Sequence, residues 1–307
     1  MKNKNNQFNL ASSLVNKVLD IKPIANLARQ RARDMMIQRA GKIGVNWIAN
    51  VEHLKSQNWS LDGIQNQDLN YPAYYTLPFH AYPEGNLDWE PAWEVESAAL
   101  TVHSTIWSGN KNPQADGDAQ LRDSYHENLI KYIKDQPHNV LDIGCSVGMS
   151  TFALQKVYPQ AQLTGLDLSP YYLSVAQHRA QKEQIKEIQW IHALAESTGL
   201  EESSYDLVSA FLLFHELPQR PTLEILQESY RLIKPGGYFA MMDMNPQSSI
   251  YREMPAYILT LLKSTEPHLD EYFTLDFASS LTKAGFVEVL IIANSPRHRT
   301  VIAQKPK

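Results

Sequence analysis

The stretch 139–151, NVLDIGCSVGMST, constrains the fold of this chain more than any other part of the sequence. An apolar run carries an acid, Asp142, near its end, and a turn of small residues from Gly144 to Gly148 follows. A strand that enters a helix through small residues brings backbone N–H groups and the positive end of the helix close to a ligand. The stretch therefore predicts a strand, a glycine turn with a binding site, and a helix that begins at Met149.

Apolar strand patterns alternate with helical patterns after this stretch. The pattern predicts a parallel sheet with helices on both faces. The last two strands are joined only by residues 294–297, a loop too short for a parallel crossover, so the final strand must run antiparallel to its neighbour. The predicted strands are 139–143, 162–167, 187–192, 206–213, 237–243, 286–293 and 298–304, with helices between the first six.

The chain before the glycine turn has a different texture. The spacing of Leu10, Leu14, Val18 and Ile21 predicts a helix. Residues 57–91 hold many aromatic rings and prolines without a clear period, which is typical of ordered but irregular structure. The polar segment 109–118 then marks a boundary. We therefore expect an N-terminal helical and aromatic cap over residues 1–117 and a second domain over 118–307.

Composition and charge narrow the classes of function. With one cysteine, the chain of 307 residues has no intrachain disulfide and no multi-cysteine metal site, so we expect no metal. We expect a cytoplasmic protein, because the N-terminus has no apolar leader and the chain no long apolar run.

Residues 1–42 carry a formal charge of +7, which leaves −12 for the rest and argues against a nucleic-acid partner. The basic arm would contact a membrane surface, an acidic partner or its own domain.

Four segments in order carry a resemblance to a known family. They are VLDIGCSVGMST, then GLDLSP at 165–170, then ALAEST at 193–198 with YDLVSAFLLFHELP at 205–218, and LIKPGGYFAMMDMNP at 232–246. Over residues 120–305 the chain resembles the class I S-adenosylmethionine (SAM)-dependent methyltransferases. The resemblance implies an α/β, Rossmann-like seven-stranded sheet with an antiparallel last strand, and SAM as the cofactor. A dinucleotide dehydrogenase would instead carry G-x-G-x-x-G after the first strand, whereas this turn is Gly144-x-Ser146-x-Gly148 with no third glycine.

The resemblance also implies a set of cofactor-binding residues. Asp142 would lie near the ammonium group of SAM, Asp167 would accept two ribose hydroxyls, and the backbone N–H of Ala195 would meet the adenine edge. Two positions depart from the family. Ser146 replaces a glycine, which is tolerable if its φ is negative, and Leu194 stands where an acid is usual. The predicted set is Asp142, Gly144, Cys145, Ser146, Gly148, Asp167, Leu168, Leu194, Ala195, Phe211 and Leu212.

Three polar residues near the ends of the fourth and fifth strands are candidates for catalysis. Methyl transfer from a sulfonium needs alignment and exclusion of water, and an oxygen or nitrogen nucleophile also loses a proton. His215 is the candidate base because a histidine titrates near neutral pH, although it equally suits a pocket-lining role. Glu216 would orient His215 or bind substrate, or it is a solvated residue. Asp243 points to the same edge or caps a loop.

The acceptor is expected to be a small organic molecule held under the cap. Rings mixed with a few polar groups suit such a molecule, although the same rings would also serve as the core of a small subdomain. Three alternatives stay open. They are a lipophilic, quinone- or lipid-like acceptor with residues 10–42 on the bilayer, a protein acceptor, and a non-catalytic SAM-binding protein. The sequence predicts no oligomeric state. The predicted substrate-binding residues are Tyr75, His80, Tyr82, Tyr125 and Phe214.

Overall fold

The structure is a computed structural model that describes residues 22–78, 82–109, 112–185 and 188–307. The helix predicted over residues 10–21 lies outside these residues, and so does His80. Among the helices of the described residues, none combines the length and apolar character needed to cross a membrane.

Seven strands form a single sheet in the order β3-β2-β1-β4-β5-β7-β6. Strands β1 to β5 are parallel to one another, and β7 is antiparallel to both β5 and β6. This confirms the predicted seven-stranded sheet and its antiparallel last strand. The strands are β1 (Asn139–Ile143), β2 (Gln162–Asp167), β3 (Gln189–His192), β4 (Tyr205–Phe211), β5 (Ile233–Met244), β6 (Val287–Ala293) and β7 (His298–Gln304).

Helices cover both faces of the sheet, as the alternation predicts. They are α1 (Lys22–Lys42), α2 (Trp47–Lys55), α3 (Trp89–His103), α4 (Gly117–Tyr132), α5 (Met149–Val157), α6 (Pro170–Lys182), α7 (Gln219–Leu232), α8 (Ser249–Arg252), α9 (Ala256–Thr265), α10 (Leu269–Thr274) and α11 (Phe277–Ala284). One buried cluster joins the sheet to α7, α10 and α11, and a second joins the opposite face to α4 and α5.

The prediction of a helix between β3 and β4 is wrong. Residues 193–204 contain turns and one isolated bridge, between Leu194 and Ser197. Gly199 has φ +71°, and Thr198 gives both its N–H and its hydroxyl to the Glu228 carboxylate on α7. Polar residues without a helical apolar stripe favour such side-chain bonds over a helix.

Helices α1, α2 and α3 precede β1 in the chain and pack against one another. We call the segment that contains them, residues 22–78 and 82–109, the cap. A small core of Ala40, Trp47 and Val51 holds α1 against α2. Arg33 on α1 pairs with the buried Glu94 on α3. The end of the basic arm, α1, therefore packs against α2 and α3 of the same chain.

Candidate active site

The glycine turn after β1 has the left-handed backbone that small residues permit. Gly144 has φ +67° and Gly148 has φ +83°, and α5 begins at Met149 as predicted. Ser146 has φ +50°, so the negative φ assumed for this serine is wrong. The Ser146 N–H donates to Asp167 Oδ2 at 2.8 Å, which helps to hold the strained backbone in place.

Asp142 is buried beside the turn and only half of its carboxylate is hydrogen-bonded by the protein. Its Oδ2 accepts the hydroxyls of Ser150 and Thr151, each at 2.6 Å. Its Oδ1 is buried and has no hydrogen-bond partner among the described residues. Burial raises the pKa of Asp142 to about 6, and the two hydroxyls partly oppose that rise. The carboxylate therefore has an oxygen available for a cation.

Asp167 ends β2 on the other side of the turn. Each of its oxygens accepts one backbone N–H, from Ser169 and from Ser146, both at 2.8 Å. Burial raises its pKa to about 6, and these bonds partly offset the rise. The Leu168 N–H also acts on Asp167, and a carboxylate that accepts about four hydrogen bonds keeps capacity for a hydroxyl beyond these three donors. Both aspartates therefore fit SAM, with Asp142 as partner for the ammonium group and Asp167 for the ribose.

The other predicted cofactor residues lie around these two carboxylates. Leu168 follows Asp167 and is partly buried, and so are Leu194 and Ala195 after β3. Cys145 is buried in the turn, and burial raises the pKa of its thiol. Phe211 ends β4, and Leu212 beside it has φ +58°, a backbone that is uncommon for leucine.

The cap reaches this edge of the sheet through the irregular segment that the sequence predicted over residues 57–91. We call residues 60–78 and 82–88 the cap loop. The Asn66 N–H donates to Nδ1 of His192 at 2.9 Å, and the Tyr71 hydroxyl lies 3.2 Å from Nε2. Asn86 accepts the hydroxyls of Ser169 and Tyr172, at 2.6 and 2.9 Å. The cap loop therefore covers the ends of β2 and β3, next to Asp167.

His215 and Asp243 meet at the ends of β4 and β5. His215 lies in a short 3-10 turn (Phe214–Glu216), and its Nδ1 is 2.8 Å from Asp243 Oδ1. Asp243 is fully buried and also accepts the backbone N–H groups of Phe214, His215 and Met244. The hydrogen bonds of Asp243 are made by other residues of the chain, whereas one oxygen of Asp142 has no partner among the described residues.

The charge state of His215 follows from this pairing. Burial alone would lower its pKa, but the charge and hydrogen bond of Asp243 raise it to about 10. The Asp243 carboxylate therefore stabilises the protonated form of His215, and the role of His215 as a base stays a prediction. The charges of Glu266, which follows α9, and of Glu216 add to this rise. Sequence reasoning missed Glu266, since no strand end or motif marks it.

The predicted substrate-binding residues lie in different parts of the structure. Tyr75 comes from the cap loop, and burial and the nearby charge of Asp167 raise the pKa of its phenol. The Tyr82 hydroxyl donates to Glu94 inside the cap, at 2.7 Å. Tyr125 is buried in the core with its hydroxyl 2.9 Å from that of Ser209, and Phe214 is buried between Phe239 and Phe277. Among the described members of this set, Tyr75 lies near Asp167 and Tyr125 lies near Asp142.

The sheet order, the glycine turn after β1 and the carboxylate at the end of β2 define the class of protein. The chain belongs to the class I SAM-dependent methyltransferases, and SAM is its cofactor. The family model for a methyltransferase domain matches residues 140–237.

Three similar proteins agree with this assignment. An uncharacterized methyltransferase of Synechocystis sp. is 30% identical over 166 residues, which are 54% of this chain and 74% of that protein. A demethylmenaquinone methyltransferase of Listeria welshimeri is 29% identical over 106 residues, 34% of this chain and 44% of that protein, so the match spans less than half of the relative. The structure of Haemonchus contortus phosphoethanolamine N-methyltransferase 2 with SAM has a TM-score of 0.50 at 16% identity, over 74% of this chain and 62% of that one, which shows a shared fold.

Proposed function

We propose that this enzyme transfers the methyl group of SAM to an oxygen or nitrogen nucleophile of a small organic acceptor. The acceptor would lie over the turn Phe214–Glu216, beside the cofactor residues and below the cap loop. The observation that carries the proposal is the buried pair of His215 and Asp243 at the same edge of the sheet as Asp142 and Asp167. Ligands of open α/β sheets bind outside the carboxyl ends of the strands.

SAM supplies the methyl group on a sulfonium, and the sulfide that leaves is neutral. The chain therefore has no leaving anion to stabilise, and its tasks are to align the acceptor and to exclude water. The cap loop serves the second task, because Asn66, Tyr71 and Asn86 tie it to the ends of β2 and β3 and to α6.

In this proposal His215 is a charged hydrogen-bond donor rather than a resting general base. The charge and hydrogen bond of Asp243 raise the pKa of His215 to about 10, which favours the protonated imidazole at pH 7. An imidazolium held by Asp243 would donate to the acceptor oxygen and would favour its anionic form. The acidic hydroxyl of a phenol or the oxygen of a carboxylate suits such a donor better than an alcohol does.

The test is methylation of a panel of phenols, carboxylic acids and amines, followed by mass spectrometry of products and S-adenosylhomocysteine (SAH). We expect His215→Ala to lower turnover of an active acceptor about 10²-fold or more, with SAH affinity changed less than threefold. His215→Gln, which retains a donor, should keep part of the activity. His138→Ala, an exposed histidine just before β1 at the opposite edge, is the control.

An acceptor that is already ionised at the assay pH distinguishes the donor role of His215 from the base role. A base has no proton to remove from it, so His215→Ala would then have little effect. A donor still binds the anion, and we expect the loss to persist. Little effect with the ionised acceptor would refute the donor role, and no methylated product from the whole panel would refute the small-acceptor proposal.

A quinol-like ring is the second candidate acceptor. Relatives named demethylmenaquinone methyltransferases support it, and so do two exposed apolar side chains, Ile250 on α8 and Ile258 on α9, which follow β5 at this edge. A reduced naphthoquinone that lacks the ring methyl group belongs in the same panel. Methylation of its ring carbon, with all phenols and acids inactive, would favour this candidate over the first.

A further inference from the structure

Arg297 is an arginine in the short loop between β6 and β7, and the sequence reasoning gave it no role. The last pair of residues in the ladder between β5 and β7 is Met244 with His298. One residue further, the Asn245 N–H donates to the backbone carbonyl of Arg297 at 2.8 Å. Arg297 therefore lies at the edge of the sheet where β4 and β5 end, two register positions from Asp243.

The side chain of Arg297 is a partly buried cation with no acid beside it. Its Nη2 donates to the hydroxyl of the buried Thr105, which follows α3, at 3.2 Å. Among the described residues, no carboxylate lies within 4 Å of this guanidinium, and none accepts a hydrogen bond from its Nη1 or Nε. Burial lowers the pKa of Arg297, because it disfavours the charged form. An arginine nevertheless stays charged at pH 7, so Arg297 has donors available for an anion.

Arg299, two residues further along the chain, is stabilised in a different way. Its guanidinium carbon lies 5.6 Å from the centre of the Tyr272 ring and 5.4 Å from that of Phe277, so two aromatic rings stabilise its charge. It also lies opposite Asp243 in the ladder between β5 and β7. Within the described part of the chain Arg297 has no such ring contact, so its charge is available to a ligand.

Two further groups lie near Arg297 and come from different elements. Burial raises the pKa of Tyr251 on α8, and the charge of Arg297 opposes that rise. The phenol keeps its proton at pH 7 and is therefore an O–H donor. From the cap, the charge of Arg39 on α1 adds to the effect of burial and lowers the pKa of Arg297 further. An anion bound here would accept from these donors and relieve the repulsion between the two guanidinium groups.

The acids around Arg297 and Tyr251 limit the charge that such an anion can carry. Asp243 and Glu266 both act on Tyr251, and Glu266 is buried after α9. Their negative charges disfavour a dianion, such as a phosphate monoester, more than they disfavour a monoanion. A carboxylate is a monoanion that a guanidinium binds through two parallel hydrogen bonds. The surroundings therefore favour a carboxylate.

The spacing along β5 relates Arg297 to the proposed position of the acceptor hydroxyl. Asp243 is paired with His215, and Arg297 lies two register positions beyond Asp243. Two residues of a strand span about 7 Å, a distance that one aromatic ring with a substituent at each end covers. One small molecule can therefore reach His215 with a hydroxyl and Arg297 with a carboxylate.

We propose that Arg297 binds a carboxylate of the acceptor, so that the enzyme methylates a hydroxyl of a small aromatic hydroxy acid. The proposal rests on the proposed function, because it takes the acceptor to lie over the turn Phe214–Glu216. Arg297 would fix the far end of the ring, and the hydroxyl would then lie in line with the methyl group and the sulfur.

The transfer balances without a further reactant. A lone pair of the hydroxyl oxygen forms the new bond to the methyl carbon while the bond between that carbon and sulfur breaks. The electron pair of the broken bond stays on sulfur, which becomes the neutral sulfide of SAH. The hydroxyl proton goes to water, and the carboxylate on Arg297 is unchanged.

The test compares 3- and 4-hydroxybenzoic acid with their methyl esters, which keep the hydroxyl and lack the charge. In wild type we expect kcat/KM for the better acid to exceed that for its ester about tenfold or more. Arg297→Gln should lower kcat/KM for the acid about tenfold to hundredfold and change that for the ester less than about threefold. Arg297→Lys keeps the charge without the planar fork and should give an intermediate value.

Arg252→Gln is the matched control, because it removes the same charge from an exposed arginine on α8, next to Tyr251. It should keep the wild-type preference for the acid. Thermal unfolding gives a readout that does not depend on turnover. With SAH present, the acid should raise the melting temperature of wild type and of Arg252→Gln, and it should not raise that of Arg297→Gln.

The outcomes separate this proposal from the proposed function. An ester that serves wild type as well as its acid would overturn the carboxylate site, whether or not Arg297→Gln folds. Equal losses for acid and ester in a folded Arg297→Gln would overturn it too, and so would 4-hydroxyphenyl phosphate as a better acceptor than the acids. In each of these cases the small-acceptor proposal survives. Absence of product from acids, esters and uncharged phenols alike would overturn both.

Discussion

Two buried carboxylates at the same edge of the sheet are satisfied in opposite ways. On the cofactor side, Asp142 has one oxygen bound by two hydroxyls and the other without a partner in the described residues. On the acceptor side, Asp243 accepts three backbone N–H groups and is paired with His215. In the proposed site, Asp243 is therefore satisfied by residues of the chain, whereas Asp142 keeps an oxygen for the ammonium group of SAM.

Neutralising the two carboxylates should therefore change stability in opposite directions. Asp243→Asn would break a buried pair and point an amide at backbone N–H groups, and we expect a loss of about 3–5 kcal/mol in the free energy of unfolding. Asp142→Asn should stabilise the ligand-free protein by about 1–3 kcal/mol at pH 7.5, because it removes a charge that burial disfavours.

Urea unfolding at pH 7.5 checks both values. The sign for Asp142 follows from its pKa, which folding raises to about 6. The stability linked to that shift is present at low pH and is lost as the pH rises through about 6, so the charged form destabilises the ligand-free protein at pH 7.5. Losses of similar size in both variants would break the comparison.

Asp167 extends the comparison to the ribose. We expect Asp167→Ala to weaken SAH binding about tenfold to hundredfold, because a charge-assisted hydrogen bond to a ribose hydroxyl is lost. Calorimetry measures this, with Asp206→Asn as control, since Asp206 lies at the opposite end of β4 and pairs with Lys234. Unchanged affinity in Asp167→Ala would show that the ribose binds elsewhere.

The pH dependence of binding tests both cofactor-side carboxylates at once. The pKa values of Asp142 and Asp167 are raised to about 6, so lowering the pH from 7.5 to 5 protonates both. SAH affinity should then fall about tenfold, and up to hundredfold if neither protonated form binds. Asp142→Asn should halve the slope of log Kd against pH. A flat profile for wild type would contradict the assignment.

Substitution of Ser146 has the smallest expected effect on the stability of the protein. Ser146→Gly should stabilise the protein by about 1 kcal/mol, because glycine adopts φ +50° without strain. Gly148→Ser is its counterpart in the same turn and should destabilise, since a Cβ there would lie 2.8 Å from the Phe152 ring. Thermal unfolding measures both changes. A lower melting temperature for Ser146→Gly would mean that the serine hydroxyl has an unrecognised partner.

Local sequence patterns predicted most of the strands, and the family resemblance supplied the candidate cofactor residues. The bounds of β1, β2 and β7 were predicted to the residue, because buried strands bounded by glycine and proline leave a strong local signal. The same patterns place Asp142 and Asp167 at or near strand ends, while their proposed roles toward SAM come from the family resemblance. The helix predicted after β3 does not form, because contacts with α7 stabilise polar turns there.

The pairing and charge state of the buried polar residues follow from the fold rather than from local sequence. No pattern in the sequence brings Asp243 against His215 or raises the pKa of that histidine to about 10, because both follow from burial and from pairing across 28 residues. The same holds for Arg297, a loop arginine that only the fold places beside Thr105 and the end of β5. Local spacing specifies elements and strand ends, whereas burial and long-range pairing determine which polar atoms are left for a ligand.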